Sequence, residues 1–165
     1  MKHFKLLLVP ALLLLTACVG SVDDDRAVFP SQNYQAVILD RATFENSVEA
    51  MPAQSIVKSG KIYVKDQFLF INEVNKGFHV FDYQNPQNPQ PLGFIQILGA
   101  TDLAVRDNNI YINQAVDLVT LTYNPADNSL TVTKRNKNVF PQKVSPSGQY
   151  GVINPNEIII DWVLN

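Results

Sequence analysis

Three side chains in this chain of 165 residues belong to the types that most often do covalent, metal or general-base chemistry: Cys18, its only cysteine, and the histidines His3 and His79. A zinc centre draws three or four ligands from Cys, His and carboxylates, and a nucleophilic triad needs a base beside its nucleophile. The chain lacks the residues for either, so no catalytic, cofactor-binding or metal-binding residue is expected, and no cofactor. Ser145-Pro146-Ser147-Gly148 offers no serine nucleophile, because that chemistry needs a strand-turn-helix elbow and these residues spell a loop. Carboxylates are plentiful, and two of them about 5–10 Å apart would suffice for glycoside hydrolysis. Asp82, Asp102 and Asp117 nevertheless fall at turn positions, where aspartate bonds nearby backbone N–H groups, and that is the expectation for all three. Trp162, the single tryptophan, reads as a core aromatic, with ligand stacking as the alternative.

The setting of the lone thiol explains it. Lys2 and Lys5 make a basic start, Leu6 to Leu15 an apolar run, and Thr16-Ala17 a small-residue approach to Cys18, which together form the layout of a removable secretory signal over residues 1–17. The run is about ten residues, half of the about 20 that a membrane-spanning helix needs. One cysteine cannot form an intramolecular disulfide, so the usual use of cysteine in exported proteins does not apply. Leu15-Thr16-Ala17-Cys18 resembles the bacterial lipobox, which implies cleavage before Cys18 and lipidation of its thiol. The membrane is then the first expected partner, held through two or more acyl chains at roughly 0.8 kcal/mol per buried CH2. Val19 stands where an inner-membrane retention signal carries aspartate, which leans toward the outer membrane of a bacterial cell envelope. Asp23-Asp24-Asp25 keeps a tether solvated and extended; it also resembles, loosely, the acidic stretch that sends lipoproteins of the Bacteroidetes to the cell surface. Consecutive carboxylates without a turn glycine do not make a calcium loop.

Removal of residues 1–17 takes away two of 13 basic residues and none of the 15 acids, leaving a net charge of about −4. That balance, with Lys134-Arg135 and Lys137 as the only dense basic stretch, argues against a nucleic-acid partner, since phosphate binding relies on clustered cations. The remaining length suits one core rather than two. Nine Phe, six Tyr and many Ile, Val and Thr point to a mainly β fold.

Residues 18–34 read as a flexible acidic tether. Residues 35–59 hold a first strand, Gln35 to Leu39, and a short amphipathic helix over 41–51, capped by Asp40 and striped by Phe44, Val48 and Met51 before Pro52. From 60 to 135 the chain becomes a succession of short strands divided by turn signals such as Lys65-Asp66 and Asp107-Asn108-Asn109. An internal repeat orders them. Ile62 to Asn72 superimposes without gaps on Leu103 to Asn113, placing Phe70 on Tyr111 and Ile71 on Ile112 at an offset of 41; farther on, Tyr83 falls on Tyr123 at 40. Each copy supplies four strands, 61–65, 68–72, 78–83 and 92–97, then 102–106, 109–113, 118–123 and 130–134. A period near 40 with four strands per unit is the signature of propeller blades. Residues 136–165 read as a loop and a partial blade through Ile158-Ile159-Ile160-Asp161-Trp162.

Gly77-Phe78-His79-Val80-Phe81-Asp82, followed by Asn85-Pro86 and Asn88-Pro89, resembles the LVIVD repeat of bacterial β-propeller lipoproteins; Leu118-Val119-Thr120-Leu121-Thr122 is similar, with Thr122 where aspartate is expected. The resemblance implies two consecutive four-stranded antiparallel blades and a cell-envelope location, and carries no catalytic residue. His79 then reads as a structural histidine bonded to a neighbouring blade. Propellers close with four to eight blades and this chain holds two, so the expectation is a truncated or split member of the family, the alternatives being that copies complete the ring or that helix and tail cap the open faces. The functional expectation is a non-enzymatic, membrane-anchored lipoprotein whose repeat surface binds an envelope protein or glycan. The alternative is a propeller-type hydrolase or lyase acting on an envelope glycan, with its remaining blades missing from this chain.

Overall fold

A computed structural model describes residues 33–165; the expected signal, Cys18 and Asp23-Asp24-Asp25 lie outside the described residues. In chain order the elements are β1 (Tyr34–Asp40), α1 (Arg41–Asn46), β2 (Glu49–Met51), β3 (Ser59–Lys65), β4 (Phe68–Glu73), β5 (Gly77–Asp82), β6 (Gln90–Gln96), β7 (Ala100–Arg106), β8 (Asn109–Gln114), β9 (Asp117–Asn124), β10 (Ser129–Asn136) and β11 (Glu157–Leu164). The fold is mainly β, built of antiparallel sheets of which none is closed. The first sheet has the order β2-β6-β5-β4-β3, the second β10-β9-β8-β7, and β1 pairs with β11 in a third, two-stranded sheet. Aromatic and β-branched runs such as Phe68-Leu69-Phe70-Ile71 suit central strands, and two-residue turns at Asp66-Gln67 and Asp107-Asn108 fold each meander back on itself.

The pairing of β3 with β4, Ile62↔Ile71, Tyr63↔Phe70 and Val64↔Leu69, recurs 41 residues later in β7 with β8 as Leu103↔Ile112, Ala104↔Tyr111 and Val105↔Ile110. The link from β8 to β9 is one residue shorter than that from β4 to β5, so the offset becomes 40: Phe70↔Val80 corresponds to Tyr111↔Thr120. A bulge also recurs. Pairing shifts between Val80 and Phe81 against β6, and between Val132 and Lys134 against β9.

The two meanders pack through different faces. Phe70, Phe78 and Val80 of the first sheet, with Tyr63 beside them, meet Leu103, Ile110, Ile112, Val119 and Leu121 of the second. The residues of the first sheet that correspond in register to Leu103, Ile110 and Ile112 are Ile62, Leu69 and Ile71, which lie on its opposite face. The contact is therefore front to back, not front to front. Phe70 is buried where Tyr111 is only half-buried, and Ile112 is buried where Ile71 is half-buried. Each fully buried side chain here contributes roughly 1.5–3 kcal/mol.

The back face of the first sheet is crossed by residues 52–58, since β2 and β3 stand on opposite edges. Gly77 permits the tight start of β5: its φ is +151°, and a Cβ there would collide with the Ile95 carbonyl oxygen.

The helix expected over 41–51 is not supported. Only Arg41–Asn46 is helical, with Asp40 accepting from the Thr43 N–H at 2.9 Å and from the Thr43 hydroxyl at 2.6 Å. Glu49–Met51 instead pairs with Gln96–Phe94. A helix of eleven residues is marginal by itself, and the free edge of β6 satisfies the backbone of 49–51 better than another turn would. The residues expected to form a partial blade, 158–162, belong to β11 and pair with β1. Ile158 and Ile160 there pack with Phe44, Ala115 and Val116 in a second core.

Candidate functional site

Where the β3–β4, β7–β8 and β9–β10 turns meet, a cleft of about 500 Å³ opens between the two meanders. Its floor is apolar: Phe68, Phe70, Val105, Ile110 and Tyr123 are buried or half-buried. The rings of Phe68 and Phe70 sit 6.3 Å apart, tilted by 48°. Lys65, Asp66, Gln67, Asp107, Asn108 and Asn124 form an exposed rim of charges and amides. Asp66 and Asp107 head their turns with φ of +52° and +53°, a conformation aspartate tolerates better than most residues. Lys65 Nζ is tied to Asp66 at 2.9 Å. One wall is fixed by Tyr123, whose hydroxyl donates to Asn128 Oδ1 at 2.9 Å, while Asn128 Nδ2 donates to the Met51 carbonyl at 2.9 Å. Burial raises the Tyr123 pKa, so this hydroxyl stays a donor. Gly93 makes the closure possible, since a Cβ there would overlap Asn128 Oδ1 and the Tyr123 hydroxyl. An apolar floor with polar groups converging at the rim, in a volume within the range of about 300–1,000 Å³ for small-molecule pockets, can hold a ligand that has one apolar face and many hydroxyls or amides.

The residues singled out from the sequence lie elsewhere and apart from one another. His79 is bonded not to a neighbouring sheet but to Glu73 of the adjacent strand, Nε2 to Oε2 at 3.1 Å, with Phe94 at 4.8 Å between ring centroids. Glu73 also accepts from the backbone N–H of Val57 at 2.9 Å and of Lys58 at 2.6 Å. Burial alone would raise its pKa; those N–H groups and His79 outweigh burial and hold it below the ordinary value. The pair thus fastens the crossing segment 52–58 to the sheet. Gln114, the residue in register with Glu73, is its counterpart: its Nε2 donates to the carbonyls of Phe44 at 3.0 Å and Leu98 at 3.2 Å.

Asp82 accepts from the Gln84 N–H at 2.8 Å, a turn contact of the expected kind. Asp102 reaches across to β3, taking Lys61 Nζ at 2.5 Å and the Tyr63 hydroxyl at 2.6 Å. Lys61 first, then Tyr63, holds the Asp102 pKa down, while burial and that same bond push Tyr63 up to about 12. Asp117 is wholly buried and bonded by Arg41, Arg135 and the Asn138 N–H. Nothing in the sequence pairs Asp117 with Arg41, 76 positions away.

Ser145 is buried in its loop, where its hydroxyl accepts from the Gln149 N–H at 2.8 Å. Trp162 Nε1 donates to the Lys143 carbonyl at 3.2 Å. Lys143 itself donates to Asn75 Oδ1 and, at 2.8 Å, to the Ile160 carbonyl, and burial pulls its pKa down to about 8. Among the described residues no group of three or more His, Cys, Asp and Glu side chains could hold a metal ion, and no helix is long and apolar enough to cross a membrane. The cleft residues were visible in the sequence as turn signals at the rim and, for Phe70 and Tyr123, as positions of the internal repeat, with nothing to bring them together. The repeat could have found them, because turns at equivalent positions of stacked units emerge at one end.

No family model, no curated protein and no solved structure matches this chain.

Proposed function

We propose that this chain is a bacterial envelope lipoprotein of the LVIVD-repeat kind, held at the outer membrane through a lipid on Cys18, which binds an envelope glycan in the cleft between its two meanders. The observation that carries the binding reading is the cleft itself, an aromatic and aliphatic floor under a rim of amides and carboxylates. Sugar rings present an apolar C–H face that stacks on aromatic side chains, and their hydroxyls exchange hydrogen bonds with such a rim. The recurrence of register and bulge at offsets of 41 and 40, with front-to-back packing, supports reading the meanders as two propeller-like blades, because stacked repeats meet through unlike faces.

Calorimetric titration of the full chain with peptidoglycan fragments and with lipopolysaccharide core oligosaccharides tests the binding. At least one should bind, and Phe68→Ala and Asp107→Asn should each weaken it roughly tenfold, about 1.4 kcal/mol. Absence of binding to every glycan, or binding indifferent to both substitutions, refutes the reading. Fatty-acid labelling that marks wild type and spares Cys18→Ala tests the anchor separately.

A further inference from the structure

The β1–β11 sheet has one face of unusual composition. Pairing runs Tyr34↔Leu164, Ala36↔Trp162 and Ile38↔Ile159, while Val37 and Leu39 alternate to the core face; a bulge at Ile160 in β11 lets Ile158 and Ile160 join them there and leaves Ile159 and Trp162 on the other face. The outward face therefore carries Tyr34, Ala36, Ile38, Ile159, Trp162 and Leu164, and by the same alternation ends at the pair Asp40 and Glu157, so its charge is confined to the end away from Leu164. Part of it is covered by the connection between β10 and β11: a Cβ on Gly151 would meet Ile159 Cδ1 and lie 3.5 Å from the Trp162 ring. That connection is itself apolar on its outside. Tyr150 is 82% exposed and Val152 99%, and Leu164, two residues beyond Trp162 on the same face, is 58% exposed. From Asn138 to Asn156 the only charged side chain is Lys143, which is turned inward onto the Ile160 carbonyl.

The place of this surface in the chain indicates what covers it. Asn165 donates to the Asn33 carbonyl at 2.9 Å, so Asn33, the first described residue on the Cys18 side of the chain, lies beside the Leu164 end of the sheet. Fifteen residues from Cys18 to Asn33 reach at most about 50 Å, and a chain shorter than full extension brings this end closer still. We propose that the Tyr150, Val152, Trp162 and Leu164 surface rests in the interfacial layer of the lipid bilayer to which Cys18 is anchored, an inference that depends on the anchor reading for its geometry. Tyrosine and tryptophan with an aliphatic neighbour suit that layer, and the absence of charge from Val144 to Asn156 and at the Leu164 end of the sheet avoids a desolvation cost there.

Trp162 is the only tryptophan, which makes it the reporter. The full chain, expressed in a bacterial host and returned to vesicles of phosphatidylethanolamine and phosphatidylglycerol, should show Trp162 emission that shifts to the blue and is quenched by lipids brominated near the headgroup. Replacing Tyr150, Val152 and Leu164 together by Ser should weaken that partition roughly tenfold. Ile62→Ser with Val64→Ser, exposed apolar residues of β3, should leave it unchanged. Fatty-acid labelling of the same sample separates the two readings. A labelled chain with unquenched Trp162 overturns the surface and keeps the anchor; an unlabelled chain that is still quenched keeps the surface and removes the anchor. Quenching that falls equally in the β3 variant overturns the assignment to this face.

Discussion

Replacing Asp117 by Ala probes the contact that ties the helix to the second meander. The buried carboxylate takes Arg41 Nη1 at 2.7 Å, Arg135 Nη1 at 3.0 Å and the Asn138 N–H at 2.9 Å. Both guanidinium groups stand 5.5 Å from the centre of the Phe44 ring and share Asp117 Oδ2, so removing the carboxylate leaves two neighbouring cations beside one buried aromatic. Breaking a buried ion pair costs about 3–5 kcal/mol. Arg41 and Arg135 keep 20% and 11% of their surface exposed, so water relieves them in part and the lower end applies. A loss of about 3 kcal/mol, at a urea slope of about 2 kcal/mol per molar, moves the unfolding midpoint down by about 1.5 M. Burial alone would raise the Asp117 pKa, but the Asn138 N–H, Arg41 and Arg135 outweigh it and hold the folded value below 3.8. The contribution is therefore complete above that value and lost as pH falls through the lower, folded pKa, so the gap between wild type and variant should narrow in acid. The control is Asp102→Ala, whose half-exposed pairing with Lys61 should cost only about 0–1 kcal/mol. Urea melts followed by Trp162 fluorescence read all of this. The reasoning fails if Asp117→Ala costs no more than Asp102→Ala.

Front-to-back packing predicts that Ile112→Ala costs about 2–5 kcal/mol and Ile71→Ala clearly less, although the two occupy the same register position; equal or reversed losses in urea melts would contradict it. Gly77→Ala should cost about 1–3 kcal/mol from its positive φ and the collision with the Ile95 carbonyl, and more than Gly148→Ala in thermal unfolding, since Gly148 also has a positive φ, +83°, but its added Cβ meets nothing within 4 Å. Lys143, with its folded pKa lowered by burial to about 8 against 10.5 unfolded, should make stability rise with pH between those values, because the unfolded chain binds the proton that the folded chain has released; Lys143→Met should flatten that rise in melts taken across the window.

Much of the β architecture was legible in the chain. Strands alternate or run apolar between turn residues with positive φ, and those are local properties: Asp66 and Asp107 mark their hairpins in either context. The eight strands from Ser59 to Asn136 follow from such signals, and the offset of 41 from comparing the chain with itself. The helix over 41–51 was misread because a 3.6-residue stripe says nothing of the β6 edge that captures Glu49–Met51. Which carboxylate is a turn residue and which is a buried counter-ion was likewise not legible: Asp82 and Asp117 look alike in sequence, and only the return of α1 to the second meander brings Arg41 to Asp117. The cleft and the Trp162 face were decided by tertiary structure alone. Each is made by segments that pack side by side while distant in the chain, and the choice of face, front against back or core against solvent, belongs to the whole fold because a single bulge such as that at Ile160 reverses it.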